Sequence, residues 1–202
     1  MKKKEAQVVR LADHFLCNEE IVRGIINKDP RAAAVLYDRF GNKINRLVWR
    51  LLGADSEHDD VVQLVFVHIL SSVKKLKNPD ALEDWISGVT VNTVRREIRN
   101  RKYRRILIPT ADYPEIATDP GEARSKIMVH RLFAILSKMR TEDHIVFVLR
   151  FVEGNTLGEV AVAGGYSLAT AKRRIARAKK EFMKRAKKDS VLASFIEEMK
   201  ND

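Results

Sequence analysis

Apolar residues recur every three or four positions in two long stretches of this chain, a spacing typical of amphipathic helices. The first stretch predicts three helices. The first of them spans about 29–53, because Asp29 can cap its free amide groups and Pro30 fits the first helical position. The second has its apolar face from Val61 to Val73, and the third begins at residue 78 and ends in a basic segment.

Between the two stretches, residues 106–124 show no apolar period and contain three prolines and four acidic residues. This composition predicts a flexible acidic linker. Helical spacing resumes at Ile127, and no alternation of the strand type has useful length in the chain. The predicted fold class is therefore all-α, with two small helical domains joined by the linker, and we expect the two domains to move independently.

The sharpest local pattern lies in the second stretch, between residues 156 and 178. It predicts a short helix, a turn at Gly164-Gly165 and a second helix whose free amide groups Ser167 can cap. The apolar face of the second helix consists of Ala171, Ile175, Ala178 and Phe182. Its basic side chains are expected to face outward, and they are Lys172, Arg173, Arg174 and Arg177. This is the form of a helix-turn-helix, whose second helix fits the major groove of B-DNA.

The charge balance narrows the class of partner. The 202 residues include 38 Lys and Arg against 27 Asp and Glu, a formal net charge of +11. Such an excess favours a polyanionic partner, which can be nucleic acid, an acidic protein or an anionic membrane. Residues 172–188 contain ten basic residues and one acidic residue. In combination with the helix-turn-helix pattern, this segment favours nucleic acid.

Other features bear on location and on enzymatic chemistry. The single cysteine, Cys17, cannot form an internal disulfide, and charged residues interrupt any apolar signal region near Met1, so we expect a cytoplasmic protein. The apolar runs are too short for membrane insertion. The five histidines are scattered, and neither a phosphate-binding glycine loop nor a nucleophile elbow occurs. We therefore expect that the protein is not an enzyme and that it binds neither a metal nor a cofactor.

Taken together, these patterns resemble the ECF-type sigma factors of bacterial RNA polymerase. Residues 59–66, Asp-Asp-Val-Val-Gln-Leu-Val-Phe, resemble the region 2.2 signature of an acidic pair, a glutamine and a phenylalanine on one helix. Residues 85–96 resemble the promoter-melting segment, and the helix-turn-helix resembles region 4. The two halves occur in the order and at the separation that the family has.

The resemblance implies a division of the chain and a set of partners. Region 2 would cover 19–105 and region 4 would cover 127–188, with a linker at 106–126, an N-terminal extension at 1–18 and a C-terminal tail at 189–202. The implied activity is promoter-specific transcription initiation. The implied partners are core RNA polymerase and promoter DNA, with an anti-sigma factor as a further candidate.

The resemblance also implies roles for individual residues. The residues implied to contact core polymerase are Asp59, Asp60, Gln63 and Phe66. The −10 residues, which would bind and melt the −10 element, are Lys75, Lys77, Asn78, Asn92, Arg95, Arg96, Arg99 and Lys102. The −35 residues, which would read the −35 element, are Ser167, Thr170, Lys172, Arg173, Arg174, Ala176 and Arg177.

Several readings remain open at this point. Asp59 and Asp60 could merely stabilise the positive end of their own helix, and Trp85 fits a core position better than a base-stacking one. Gly164 and Ala171 stand where the family has larger apolar residues, which predicts a loose region 4 core. Two alternative hypotheses fit the same patterns. The first is a stand-alone helix-turn-helix regulator with an N-terminal sensing or dimerisation domain, and the second is a basic RNA-binding helical protein.

Overall fold

The computed structural model describes residues 17–53, 57–107, 120–189 and 191–193, with side chains described except at 104–107 and 120–126. All regular structure in these ranges is helical. The α-helices are α1 (Asn18–Ile26), α2 (Pro30–Leu52), α3 (His58–Ser72), α4 (Leu82–Leu107), α5 (Pro120–Lys138), α6 (Thr141–Phe147), α7 (Leu157–Gly164) and α8 (Leu168–Ala186). Two 3-10 turns, Val73–Lys75 and Pro79–Ala81, lie between α3 and α4, and a π-helical turn, Val148–Val152, extends α6.

The N-terminal domain consists of α1 to α4. The predicted start of α2 is confirmed, since the Asp29 carboxylate accepts a hydrogen bond from the Arg31 amide at 2.9 Å. Gly53 ends this helix at a φ of +81°, a conformation that favours glycine. The four helices enclose one apolar core, whose fully buried side chains include Leu36, Ile44, Ile69, Leu82 and Ile86.

The C-terminal domain consists of α5 to α8 and is built around α6. Leu136, Ile145 and Leu149 are fully buried in its centre. Ala171 and Ala178 of α8 have no exposed surface. Because their side chains are small, α8 can lie close to α6 and α7.

The ends of the predicted linker are helical. α4 continues through Leu107, and α5 already begins at Pro120, so 106–107 and 120–126 belong to helices. Proline is compatible with the first turn of a helix because that amide has no acceptor within the helix. Residues 108–119 lie outside the described residues, as do the predicted extension up to residue 16 and the tail beyond 193.

The two domains pack directly against each other in the structure, whereas their independent movement stays a prediction. Helix α4 contacts α6 and α7. The rings of Trp49 and Phe133 meet edge to face across the boundary with centroids 6.0 Å apart. Nearby, Arg50 Nη1 lies 2.7 Å from the Glu153 carboxylate. Of the helices described, none combines the length and the apolar character required to cross a bilayer.

Candidate functional site

One face of α3 is exposed and carries both polar and apolar side chains. Asp60 and Gln63 lie on it, beside Leu64 and Val67, whose side chains are 40% and 58% exposed. The opposite face of α3 is buried through Val61, Val65 and Ile69. Asp59 is exposed next to Asp60 in the first helical turn, where a carboxylate also favours the positive end of the helix.

Phe66 does not belong to this exposed face. Its ring is half-buried and packs on Tyr37 of α2, with the ring centroids 5.0 Å apart. The side chain therefore holds α3 against α2. Phe66 therefore offers less exposed surface for the predicted contact with polymerase than Val67 does.

Some of the −10 residues are exposed, and others are held by contacts within the protein. Lys75 and Lys77 are exposed in the segment between α3 and α4. The Asn78 side chain accepts a hydrogen bond from the Asp80 amide at 3.0 Å, so it caps the second 3-10 turn. Trp85 packs against the core, as its spacing predicted.

On α4, Asn92, Arg96 and Arg99 line an open groove on the outer side of the helix. The Arg95 side chain is only 13% exposed and reaches toward α7, where its Nη2 donates to the Gly164 carbonyl at 2.8 Å. Lys102 donates a hydrogen bond to the Met139 carbonyl in the other domain. The groove therefore presents Arg96 and Asn92, while Arg95 and Lys102 join the two domains.

The helix-turn-helix has the geometry that the sequence predicted. Thr156 and Glu159 cap the start of α7 reciprocally, and Gly165 ends it at a φ of +69°. The Ser167 hydroxyl accepts from the Thr170 amide at 3.2 Å and so caps α8. Lys172 and Arg173 are exposed near the start of α8, as is Ala176 one turn later.

Arg174 does not simply face outward, which corrects the expectation for this −35 residue, whereas Arg177 is exposed but ion-paired. The Arg174 guanidinium lies 4.4 Å from the centre of the Tyr166 ring and 3.2 Å from the Glu142 carboxylate. Arg177 forms an ion pair with the buried Asp143. The reason is that α6 places two carboxylates beside α8, which the helical spacing of α8 alone does not reveal.

Two family models match the chain in the order of the two domains. One describes sigma-70 region 2 and matches residues 36–104, and the other describes sigma-70 region 4 and matches residues 130–182. The chain belongs to the sigma-70 family, as an ECF-type RNA polymerase sigma factor. The region 2 match thus covers α3 and most of α2 and α4, and the region 4 match covers about half of α5, all of α6 and α7 and most of α8.

Sequence relatives carry the same family name. The ECF RNA polymerase sigma factor SigE of Mycolicibacterium smegmatis is 26% identical over 150 residues, which are 72% of this chain and 58% of that protein. This sigma factor thus spans less than two thirds of the SigE length. The RNA polymerase sigma factor NccH of Alcaligenes xylosoxydans xylosoxydans is 24% identical over 168 residues, 80% of this chain and 90% of NccH.

Two solved structures show that the fold is shared. CnrH in complex with the cytosolic domain of CnrY is 21% identical, with a TM-score of 0.61 over 86% of this chain and 99% of CnrH. The sigma factor RpoE in complex with the anti-sigma factor NepR from Bartonella quintana is 16% identical. Its TM-score is 0.53 over 73% of this chain and 92% of RpoE.

The region 4 core is tightly packed at Gly164, contrary to the expectation of a loose core. A Cβ atom at this position would overlap the Tyr166 ring, which folds over the end of α7. The Tyr166 ring, from two positions later, thus occupies the space that a side chain at residue 164 would need. Ala171, the second small residue, has no exposed surface.

Sequence reasoning missed Glu142 and Tyr166. Burial opposes ionisation of Glu142, but the hydrogen bond from Tyr166 and the charges of Arg95, Arg174 and Arg99 outweigh it and lower its pKa. Burial and the hydrogen bond to Glu142 raise the pKa of Tyr166. In the sequence, Glu142 is recognisable only as an acid in the first turn of a helix. Such acids are common, so the position does not stand out. In the part of the chain that the structure describes, no three His, Cys, Asp or Glu side chains converge to hold a metal ion.

Proposed function

We propose that this sigma factor binds core RNA polymerase through α3 and brings promoter DNA to α4 and α8, so that transcription starts at one class of promoter. The observation that carries the proposal is the exposed start of α8, where a capped helix of a helix-turn-helix presents Lys172 and Arg173. RNA synthesis itself belongs to the polymerase, and the sigma factor is not an enzyme. It acts in the cytoplasm, together with the polymerase.

The exposed face of α3 suits a protein partner. Asp60 and Gln63 offer hydrogen-bond acceptors to a basic helix, while Leu64 and Val67 offer apolar area beside them. An apolar centre with a polar rim is the usual composition of a specific protein interface. Opposite charge on the two partners raises the association rate and selects the correct orientation.

The start of α8 suits duplex DNA. An α-helix fits the major groove, and Lys172 and Arg173 are long enough to reach guanine acceptors or flanking phosphates. The Ser167 and Thr170 hydroxyls lie at the same end of the helix and can contact phosphate oxygens. We therefore assign −35 recognition first to Lys172 and Arg173.

The exposed −10 residues suit a melted strand. Lys75 and Lys77 lie in the segment before α4, and Asn92 and Arg96 lie on its outer side. Cations hold a single-stranded backbone, and an amide can bind the edge of an unstacked base. An anti-sigma partner is part of the proposal too, supported by the complexes of CnrH with CnrY and of RpoE with NepR.

The test is run-off transcription with purified core polymerase on a genomic promoter library. The wild-type protein is expected to start RNA synthesis at a defined set of promoters. The double variant Asp60→Ala/Gln63→Ala is expected to lose affinity for core polymerase, whereas Glu19→Ala should not. Glu19 is a matched control because it is an exposed acid of the N-terminal domain on another helix, α1.

Two outcomes would contradict the proposal. Binding of a specific duplex without any polymerase-dependent transcription would instead favour a stand-alone helix-turn-helix regulator. Wild-type polymerase affinity in the double variant would exclude α3 as the docking helix.

A further inference from the structure

A single carboxylate joins the DNA-binding helices of both domains. Glu142, in the first turn of α6, lies 3.3 Å from Arg95 Nε and 2.6 Å from Arg99 Nη2, both on α4. It also lies 3.2 Å from Arg174 Nη1 on α8. Two −10 residues and one −35 residue thus share the same carboxylate.

The Tyr166 side chain completes this cluster, which we call the Glu142 clasp. Its hydroxyl donates to Glu142 and accepts from Arg95 Nη2 at 3.0 Å. The guanidinium carbons of Arg95 and Arg174 lie 5.6 and 4.4 Å from the centre of its ring. The ring can take this position only because residue 164 is a glycine. The clasp consists of Glu142, Tyr166, Arg95, Arg99 and Arg174.

The clasp is incompatible with full use of the arginines on DNA. The Arg95 side chain is 13% exposed and that of Arg174 is 26% exposed, so both offer little surface to a phosphate while the domains are in contact. Three guanidinium groups around one carboxylate also leave a net positive cluster. A phosphate backbone can therefore compete with Glu142 for the same cations.

We propose that the Glu142 clasp is autoinhibitory: it holds region 4 on region 2 in the free protein, so that full binding of DNA, with Arg95 and Arg174 engaged, requires the two domains to separate. This inference rests on the proposed function, because it assigns Arg95, Arg99 and Arg174 to DNA. Any partner that binds only the open form shifts the population toward it. Core polymerase, which must accommodate both promoter elements, acts in this way.

The first test measures the distance between the domains without DNA or polymerase. One fluorophore is placed on the native, exposed Cys17 and another on an introduced Lys179→Cys in α8. Glu142→Gln is expected to lengthen and broaden the distance distribution. Glu181→Gln is the matched control, because it removes the same charge from a pair within α8 itself. An unchanged distance in Glu142→Gln overturns the clasp.

The second test measures the affinity of each free variant for a fluorescein-labelled DNA duplex by anisotropy. Glu142→Gln is expected to gain affinity by about 5- to 150-fold, the range of typical coupling between two conformational states. Gly164→Ala should gain affinity as well, because its Cβ displaces the Tyr166 ring without any change of charge. A gain confined to Glu142→Gln would reflect its charge alone and would overturn the inhibitory role, as would no gain at all.

Failure of the clasp and failure of the proposed function are distinguishable. If wild-type protein directs run-off transcription while the domain distance of Glu142→Gln is unchanged, only the clasp is wrong. If the protein never directs transcription with core polymerase, the proposed function is wrong, and the distance measurement still decides whether Glu142 holds the domains together.

Discussion

Arg177 on α8 and Asp143 on α6 form an ion pair with several hydrogen bonds in region 4. The Arg177 Nε lies 2.9 Å from both carboxylate oxygens, and its Nη2 donates to one of them at 2.6 Å. The Asp143 side chain is 3% exposed, whereas that of Arg177 is 50% exposed. The hydrogen bond to Asp143 raises the pKa of Arg177. The pair therefore fastens α8 to the core of its domain.

Arg177→Ala is expected to destabilise region 4, because it leaves the buried Asp143 carboxylate without its cation. The free energy of unfolding should fall by about 1 to 3 kcal/mol, less than for a fully buried pair since Arg177 is half exposed. Urea unfolding followed by circular dichroism measures this. Arg173→Ala is the control, because Arg173 is exposed and one helical turn away. If both variants were equally stable, region 4 would not need Arg177 for its stability, and this side chain would be available to contact DNA.

Lys172→Ala is expected to weaken binding of duplex promoter DNA by about 1 to 3 kcal/mol if the side chain contacts a base. Its affinity for core polymerase should stay the same, because Lys172 lies in region 4, far along the chain from the exposed face of α3. Fluorescence anisotropy at several salt concentrations measures the first effect. Lys187→Ala, an exposed charge beyond the end of α8, is the control. Equal loss of polymerase affinity would argue against a DNA role for Lys172.

Phe66 and Val67 are adjacent in the chain but are expected to respond in opposite ways. Phe66→Ala should lower the free energy of unfolding by about 1 to 3 kcal/mol, because it removes the ring that packs on Tyr37. Val67→Ala should leave stability nearly unchanged and reduce affinity for core polymerase, because the side chain is 58% exposed. Thermal unfolding and a polymerase pull-down separate the two effects. A stable Phe66→Ala variant with lost polymerase affinity would restore Phe66 to the docking surface.

His144 is expected to make the protein less stable in mild acid. Burial and the nearby Lys102 charge lower its pKa to about 3, against the opposing effect of the Leu51 backbone. In the unfolded chain the pKa returns to its ordinary value of 6.5, so the unfolded state binds more protons between these two values. Stability contributed by neutral His144 is therefore present above pH 6.5 and declines as the pH falls below it.

The slope from His144 approaches about 1.4 kcal/mol per pH unit. Urea unfolding between pH 5 and pH 7 measures it, a window in which the carboxylates contribute little. His144→Gln cannot titrate, so its stability should change less steeply with pH than that of the wild-type protein. Parallel curves for the two proteins would mean that His144 is accessible to protons in the folded state.

Most of the helices and the helix-turn-helix could be predicted from the sequence alone. Caps such as Asp29 and Ser167, and apolar residues at helical spacing, act through neighbours within a few positions of the chain, so they can be recognised without the fold. Helix α1 was not predicted as a separate element, because it is only nine residues long. The boundary of α5 was placed too late, because Pro120 was taken as a helix breaker although it lies at a helix start.

Which basic residues are held by carboxylates of another helix depends on how the helices pack. The spacing of α8 shows which side chains leave its apolar face, but it does not show that α6 places Glu142 and Asp143 beside Arg174 and Arg177. Likewise, the contact of Arg95 with Tyr166 joins residues 71 positions apart. Such pairs form because the helices pack, and the Coulomb attraction between two charges depends on their distance in space and on burial, neither of which follows from their order in the chain.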